Sequence, residues 1–131
     1  MSKVGEYMST TLYITTPDQY AYKALDEMYK NKVNALLVKE DGNYVGIFTK
    51  TDWMILVLKG ECDPKSVKVS TLMTEIKSSV DKDQTIAEAS ALIEKKKVRH
   101  LPVTDKGEFV GMFSVKDMER YYLDLHKKTD F

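Results

Sequence analysis

The sequence predicts a mixed α/β protein built from two copies of one helix–strand–strand–helix unit. Two observations carry this prediction: an internal repeat, and the same order of helix and strand patterns in each copy. Residues 33–52 align without a gap on residues 98–117, so that Val98 stands 65 residues after Val33. The same offset aligns Val4 with Val69, Met8 with Met73, Asp18 with Asp83, Gln19 with Gln84 and Ala24 with Ala89. We therefore divide the chain into repeat 1, residues 1–64, and repeat 2, residues 65–131.

The composition fits one compact domain and excludes several functional classes. The chain has 131 residues, 43% hydrophobic and 31% charged, with 20 basic and 20 acidic side chains. Balanced charge gives no net attraction to nucleic acid or to a membrane, and the apolar run 53–58 is far shorter than the roughly 20 residues that span a bilayer. The single cysteine, Cys62, has no disulfide partner and no metal-binding spacing around it. Because the N-terminus also lacks a secretory signal pattern, we expect a cytoplasmic protein.

The first helix of each copy is predicted from a capping signal followed by apolar residues at helical spacing. In repeat 1, Thr16 precedes Pro17, which is favourable as a first helical residue. In repeat 2, Asp81 takes the capping position. The apolar faces that follow are Ala21, Ala24, Leu25 and Met28 in repeat 1, and Ile86, Ala89 and Ile93 in repeat 2. Both helices are predicted to end near lysines.

Two short strands and a second helix are predicted next in each copy. The strands cover residues 34–39 and 44–48 in repeat 1, and residues 100–104 and 109–113 in repeat 2. Turn sequences around Gly42 and Gly107 separate them, which is typical of a hairpin. The second helices are predicted to run from Asp52 to Leu58 and from Asp117 to about His126. Residues 61–68 have turn composition and connect the copies.

A hydroxyl residue and a carboxylate three positions later stand where the second strand of each hairpin meets the following helix. They are Thr49 and Asp52 in repeat 1, and Ser114 and Asp117 in repeat 2. A carboxylate accepts hydrogen bonds from both hydroxyls of a ribose, while the hydroxyl and the helix N-terminal amides suit phosphate oxygens. The same spacing is typical of a helix cap. The motif alone does not decide between ligand binding and capping.

The full order of these patterns resembles the CBS domain, which normally occurs as a tandem pair called a Bateman module. Residues 98–105 and 111–117 carry the resemblance, with residues 46–52 as the first-copy equivalent, and it extends from about Val4 to about Leu125. It implies two β-α-β-β-α repeats packed with pseudo-twofold symmetry. It also implies two clefts between the copies, with AMP, ADP, ATP or S-adenosylmethionine as a regulatory ligand.

Carried over by position, the resemblance implies which residues line each cleft. The first cleft contains Ser114, Asp117, Thr10, Val33, Asn34 and Ala35. The second cleft contains Thr49, Asp52, Thr74, Val98, Arg99 and His100. In relatives, basic residues just before the second strand face the phosphates, and the resemblance places Arg99 and His100 between both clefts. Met112 and Lys116, inside the repeat 2 motif, complete the predicted ligand-binding set. Repeat 1 has Asn34 and Ala35 where repeat 2 has Arg99 and His100, and Leu37 where it has Pro102, so we expect unequal sites and favour the one built on Asp117.

Some of these residues also have structural interpretations that the sequence leaves open. Arg99 and Lys116 suit a solvated surface, and His100 suits a half-buried strand position. The cationic residues 95–97 suit a helix end, where the macrodipole favours positive charge.

The sequence favours a binding protein over an enzyme. It has two histidines and one cysteine, and no nucleophile elbow, zinc-protease motif or phosphate loop. We expect no catalytic residue, no metal and no obligatory cofactor. The leading hypothesis is a sensor that binds an adenosine-type nucleotide and acts through a separate partner protein. The alternatives are a ligand-free dimerising scaffold in which Asp52 and Asp117 only cap helices, and a nucleic-acid-binding module that uses residues 95–99.

Homodimerisation is expected from the second helices. Residues 53–58 are apolar without interruption, and the last helix carries an apolar stripe. The stripe consists of Met118, Tyr121, Tyr122 and Leu125. The resemblance supports this expectation, because Bateman modules commonly pair through these helices.

Overall fold

The computed structural model describes residues 1–60 and 63–129, and it confirms the mixed α/β fold. Cys62 lies outside the described residues. A short 3₁₀ helix, Val4–Glu6, precedes the regular elements. These are β1 (Ile14–Thr15), α1 (Ala21–Asn31), β2 (Ala35–Glu40), β3 (Asn43–Thr49), α2 (Lys50–Lys59), α3 (Val69–Leu72), β4 (Val80–Asp81), α4 (Ile86–Lys96), β5 (His100–Asp105), β6 (Glu108–Ser114) and α5 (Val115–Thr129).

The chain forms two compact units that do not coincide with the two repeats. The contiguous unit is Tyr13–Ile76, and the discontinuous unit combines Met1–Leu12 with Lys77–Phe131. The first dozen residues of each repeat therefore belong to the unit that the other repeat mainly builds. The division at residues 64 and 65 describes sequence similarity and stays a prediction.

Each unit contains one three-stranded sheet in the described residues. In the contiguous unit β1 runs parallel to β2, with Ile14 opposite Leu37, and β2 pairs antiparallel with β3. In the discontinuous unit β4 runs parallel to β5, with Val80 opposite Val103, and β5 pairs antiparallel with β6. A helix crosses over between the two parallel strands in each unit, as this connection requires.

The predicted hairpins are confirmed, with tighter turns than the sequence suggested. Asp41 and Gly42 have φ angles of 51° and 81°, and Lys106 and Gly107 have 53° and 82°. Two consecutive left-handed residues are typical of a type I′ turn, whose twist matches that of the flanking strands. The strands consequently extend to the turn, so that Glu108 lies in β6.

The predicted starts of the first helices were wrong. Pro17 lies in a turn, and α1 begins at Ala21. Asp81 ends β4 and accepts a hydrogen bond from the Asp83 amide at 2.9 Å, because a short acidic side chain stabilises a local turn as readily as a helix end. The residue that caps α4 is Thr85, which forms a reciprocal capping box with Glu88.

The predicted helix ends at lysines are confirmed. Lys32 follows α1 with a φ of 56°, and Lys97 follows α4 with a φ of 54°. Both residues adopt the left-handed conformation that commonly ends a helix.

Each unit has its own hydrophobic core, formed by the helix and the inner face of its sheet. The core of the discontinuous unit comprises Val4, Val80, Ile86, Ala89, Ile93, Leu101, Val103 and Phe113. The core of the contiguous unit comprises Ala21, Ala24, Met28, Leu36, Val38, Phe48 and Val69. Val4 and Val69 are both fully buried, so the repeat alignment of these two residues reflects equivalent packing positions.

A glycine in the second hairpin strand of each unit allows another segment to approach its backbone. Ser9 bridges to Met112, next to Gly111, and Thr74 bridges to Ile47, next to Gly46. A Cβ atom on Gly111 would lie 2.4 Å from the Ser9 carbonyl oxygen, and one on Gly46 would lie 2.9 Å from the Thr74 carbonyl oxygen. Only glycine fits these positions without displacing backbone.

Helices α2 and α5 expose apolar side chains, but the predicted stripe on α5 is partly used within its own unit. Met118 and Tyr121 pack against the core of the discontinuous unit. The exposed apolar residues are Met54, Ile55, Val57 and Leu58 on α2, and Tyr122, Leu123 and Leu125 on α5. Across the described residues we find no helix long and apolar enough to cross a membrane.

Thr15 provides a test of this packing. Its hydroxyl is buried, with 5% of the residue exposed, and has no hydrogen-bond partner among the described residues. Repeat 2 has Val80 at the equivalent position, also fully buried. We expect Thr15→Val to raise the free energy of unfolding by about 1 kcal/mol, because an unsatisfied buried hydroxyl is removed at constant shape. The matched Val80→Thr should lower it by about 1–3 kcal/mol. Urea denaturation measures both, and a destabilising Thr15→Val would contradict the orphan hydroxyl.

Candidate functional site

The turn between β3 and α2 is closed by reciprocal hydrogen bonds between Thr49 and Asp52. The Thr49 amide and hydroxyl both donate to Oδ2 of Asp52, at 2.9 and 3.1 Å. The Asp52 amide donates to Oγ1 of Thr49 at 3.3 Å. This is a capping box at the start of α2.

The turn between β6 and α5 repeats this geometry with Ser114 and Asp117. The Ser114 amide and hydroxyl donate to Oδ2 of Asp117 at 2.8 and 3.1 Å. The Asp117 amide lies 3.4 Å from Oγ of Ser114. Both carboxylates therefore cap helices, which was the structural alternative to ligand binding in the sequence analysis. In each case the cap uses Oδ2, so capping does not engage the second carboxylate oxygen.

The second oxygen, Oδ1, has different surroundings in the two turns. Oδ1 of Asp117 lies 3.8 Å from Nη2 of Arg120, whereas the residue equivalent to Arg120 in repeat 1 is Ile55. Oδ1 of Asp52 has no hydrogen-bond or ion-pair partner among the described residues. Burial raises the pKa of the Asp52 carboxyl, and the hydrogen bonds from Thr49 only partly oppose this effect. The Asp52 carboxylate therefore has fewer stabilising partners than the Asp117 carboxylate.

The predicted residues at the start of β2 and β5 lie next to these turns. Ala35 pairs with Thr49, and the Lys50 amide donates to the Asn34 carbonyl at 3.0 Å. Equivalently, His100 pairs with Ser114, and the Val115 amide donates to the Arg99 carbonyl at 3.0 Å. Val33 and Val98 precede them and pack against the cores of their own units. Ala35 is buried, with 8% exposed, so its side chain offers little surface to a ligand.

His100 is the most perturbed ionisable group that the structure describes in this region. Burial lowers its pKa to about 4, and the positive charge of Arg99 acts in the same direction. The carboxylate of Asp117 raises the pKa, and Lys116 lowers it. His100 is therefore neutral at pH 7, with Arg99 and Lys116 as exposed cations near the Ser114 turn.

Thr10 and Thr74, which were predicted to play similar roles in the two clefts, are not structural equivalents. Thr74 bridges to Ile47, and the residue that makes the matching bridge to Met112 is Ser9. Sequence reasoning missed Ser9, although the 65-residue offset from Thr74 identifies it. Thr10 follows Ser9 and is exposed.

The structure assigns the predicted site residues to two sets. The discontinuous unit contains Thr10, Val98, Arg99, His100, Met112, Ser114, Lys116 and Asp117. The contiguous unit contains Val33, Asn34, Ala35, Thr49, Asp52 and Thr74. The predicted clefts combine members of both sets, and those combinations stay predictions.

The cationic residues considered for nucleic-acid binding lie at the end of α4. Lys95 and Lys96 occupy its last turn, and Lys97 is its C-cap. This position matches the structural interpretation, since positive charge is favoured at a helix C-terminus.

The fold and the repeated turn define a class: a protein made of two equivalent α/β repeats, each with a capped strand-to-helix turn. The family model of the CBS domain matches residues 4–59 and 69–124. The chain therefore belongs to the CBS domain family, with two copies of the domain.

Curated relatives are similar to this chain over most of its length. The Bacillus subtilis protein YlbB is 33% identical over 122 residues, which are 90% of this chain and 80% of that protein. The mitochondrial CBS domain-containing protein CBSX3 of Arabidopsis thaliana is 29% identical over 118 residues, or 86% of this chain. The match covers only 57% of the length of CBSX3.

Solved structures show the same fold. A protein with CBS domains from Burkholderia ambifaria is 28% identical, with a TM-score of 0.88 and coverage of 94% of this chain and 95% of that one. The CBS domain pair of protein MJ0100, solved in complex with 5′-methylthioadenosine and S-adenosyl-L-methionine, is 18% identical with a TM-score of 0.84. The match covers 95% of this chain and 98% of that one. At this identity the likeness concerns the fold alone.

The pKa of His100 predicts how stability depends on pH. The folded state disfavours the imidazolium form, while the unfolded chain takes up a proton near pH 6.5, so the stabilising contribution is complete above pH 6.5 and is lost as the pH falls toward 4. We expect this loss to reach at most about 1.4 kcal/mol per pH unit. The measurement is urea denaturation between pH 7.5 and 4.5 of the native chain and of His100→Asn, whose stability should depend less on pH in this window. Parallel curves for the two proteins would contradict the burial of a neutral His100.

Proposed function

We propose that this chain is a regulatory module that binds an adenosine-type ligand and acts through a separate partner protein, without catalysing a reaction. The ligand class is AMP, ADP, ATP or S-adenosylmethionine. One observation carries the proposal: in both strand-to-helix turns the aspartate caps its helix through Oδ2 and leaves Oδ1 outside the cap. The same carboxylate can therefore start the helix and accept a hydrogen bond from a ribose hydroxyl.

The groups around the Ser114 turn support an anionic ligand at that position. Arg99 and Lys116 are exposed cations, and His100 is a neutral imidazole whose ring N–H can donate a hydrogen bond to a ligand. At the corresponding positions repeat 1 has Asn34, Thr51 and Ala35. We therefore favour the Asp117 turn for a phosphorylated adenosine, and the Asp52 turn as a weaker site or one for a less charged ligand.

The structure of the MJ0100 domain pair supports the ligand class by analogy of fold, since that protein holds two adenosyl compounds. The capping boxes equally suit the ligand-free scaffold, because the aspartates already have a structural role. Ligand binding is the observation that separates these two functions.

The role of the aspartates is tested by thermal shift and calorimetry with AMP, ATP and S-adenosylmethionine. We expect ligand to raise the melting temperature of the native chain, because it binds only the folded state. Asp117→Ala should weaken binding roughly 10- to 100-fold, which corresponds to one lost charge-assisted hydrogen bond. Replacing AMP by 2′-deoxy-AMP should weaken binding to the native chain in the same direction.

Loss of a helix cap needs its own control, since Asp117→Ala also destabilises α5. Glu88 forms an equivalent capping box with Thr85 at the start of α4, and neither residue is among the predicted site residues. Glu88→Ala should lower the melting temperature of the free protein to a similar extent and leave the ligand-induced shift intact. A native chain that responds to none of the three ligands would favour the scaffold.

Homodimerisation is proposed through the exposed apolar residues of α2 and α5. Leu58 on α2 is 83% exposed, as is Tyr29 on α1, so the two provide matched positions. We expect the native chain to sediment as a dimer at tens of micromolar, and Leu58→Glu combined with Leu123→Glu to shift it to monomer. The control Tyr29→Glu should leave the dimer intact. A native monomer, or equal effects of the two sets of substitutions, would refute the assignment of this surface.

A further inference from the structure

Arg120 makes three contacts that connect the Asp117 turn to the N-terminal segment, residues 4–9. Its Nη2 donates a hydrogen bond to the Tyr7 carbonyl oxygen at 2.7 Å. The same nitrogen lies 3.8 Å from Oδ1 of Asp117. The guanidinium carbon lies 5.3 Å from the centre of the Tyr7 ring, which is within the range of a cation–π contact.

The side chain of Tyr7 is held by further contacts with α5. Its hydroxyl donates to Oδ2 of Asp124 at 2.8 Å, and this hydrogen bond raises the pKa of Tyr7. Its ring meets that of Tyr121 edge to face, with 5.3 Å between ring centres. We call Tyr7, Arg120 and Asp124 the latch, because together they fasten the N-terminal segment to α5.

The N-terminal segment that the latch holds is also bonded to the turn before α4 and to strand β6. The amide of Val4 donates to the Gln84 carbonyl at 2.8 Å. Ser9 and Met112 exchange two backbone hydrogen bonds of 2.9 Å each. Thr10, a predicted ligand contact, comes directly after Ser9. The position of this segment therefore determines where Thr10 lies within the discontinuous unit.

The contiguous unit has the equivalent aspartate, Asp52, but none of the latch residues. The positions equivalent to Tyr7, Arg120 and Asp124 hold Leu72, Ile55 and Lys59, each 65 residues away. Leu72 and Tyr7 each pack against the core of their own unit, but Tyr7 also donates a hydrogen bond from its hydroxyl to Asp124. Of the two strand-to-helix turns, only the Asp117 turn is therefore connected to a latch.

We infer that Arg120 is a positioning residue that couples occupancy of the Asp117 turn to the hold on the N-terminal segment. This inference rests on the proposed function. A ribose hydroxyl that binds Asp117 uses Oδ1, because the cap occupies Oδ2, and Oδ1 is the oxygen that Arg120 faces. A bound hydroxyl competes with Arg120 for this oxygen, so we expect ligand to weaken one of the three contacts of the guanidinium. Arg120 is 56% exposed in its side chain, so its ion pair is weak and easily exchanged for water.

The consequence is a ligand-dependent loosening of residues 4–9. The hydrogen bond and ring contact of Arg120 with Tyr7 lose the orientation that Asp117 gives to the guanidinium. The segment then depends on the Tyr7–Asp124 hydrogen bond and on its backbone bonds to the turn before α4 and to β6. The Asp52 turn has no such coupling to another segment, because Ile55, the residue equivalent to Arg120, carries no charge.

Hydrogen exchange of the Tyr7, Met8 and Ser9 amides tests the inference. In the native chain we expect saturating AMP or S-adenosylmethionine, at ten times the Kd measured by calorimetry, to accelerate their exchange. Arg120→Met should accelerate exchange roughly 10- to 100-fold without ligand, as expected for loss of one charge-assisted hydrogen bond. Ligand added to Arg120→Met should still bind and should cause no further acceleration.

Two matched variants separate coupling from simple loss of a contact. Tyr7→Phe removes the hydrogen bond from the Tyr7 hydroxyl to Asp124 but keeps the contacts of Arg120 with the carbonyl and the ring of residue 7. The amides of residues 7–9 should therefore exchange faster in this variant and still respond to ligand. Ile55→Met, at the equivalent position of repeat 1, should change neither the exchange of residues 7–9 nor its response.

The possible failures are distinguishable. Ligand that binds the native chain without changing the exchange of residues 7–9 overturns the coupling and leaves the proposed function standing. A ligand response that persists in Arg120→Met also overturns it, as does unchanged exchange in that variant. No binding of either ligand to the native chain refutes the proposed function and the coupling with it.

Discussion

The hydrogen bonds that close each strand-to-helix turn fix the geometry on which the rest of each unit depends. A carboxylate three residues after the last strand residue accepts from the backbone amide and hydroxyl of that residue, which reverses the chain and starts the helix. The turn places the residue just before the neighbouring strand, Asn34 or Arg99, against the first helical amide. Helix, hairpin and candidate ligand residues are therefore positioned by a few local contacts. The cap leaves one oxygen of each carboxylate outside its hydrogen bonds.

The two turns share their backbone and differ in the charges around them. Asp52 has a raised pKa from burial and no cation at the position where Asp117 faces Arg120. The second turn also has Arg99 and Lys116 nearby and a neutral, partly buried His100. Duplication of one unit thus preserved the hydrogen-bonded frame and changed the electrostatics. The two turns therefore differ in the charge that surrounds their aspartates, although their hydrogen bonds are the same.

The sequence predicted the features that follow from local chemistry and from the repeat. The hairpins were predicted because Gly42 and Gly107 supply the left-handed turn residues, and the motif aspartates because they recur at one offset. From the residues themselves the parallel strands β1 and β4 were not predicted, since two residues are too few to show a period. Asp81 was placed at a helix start because capping and turn formation use the same side chains. Arg120 escaped notice because its important partner, Tyr7, is more than a hundred residues away in the chain.

The first twelve residues of each repeat belong to the unit that the other repeat mainly builds, and this arrangement affects the order in which the two units can fold. All residues of the contiguous unit, Tyr13–Ile76, are consecutive, so each of its partners is available once that stretch has left the ribosome. Residues 1–12 emerge earlier but belong to a unit whose remaining members, Lys77 onward, are synthesised after the contiguous unit. Val4 therefore lacks its core partners until the residues from Val80 to Phe113 have been synthesised. Completion of the discontinuous unit joins two segments that leave the ribosome at different times.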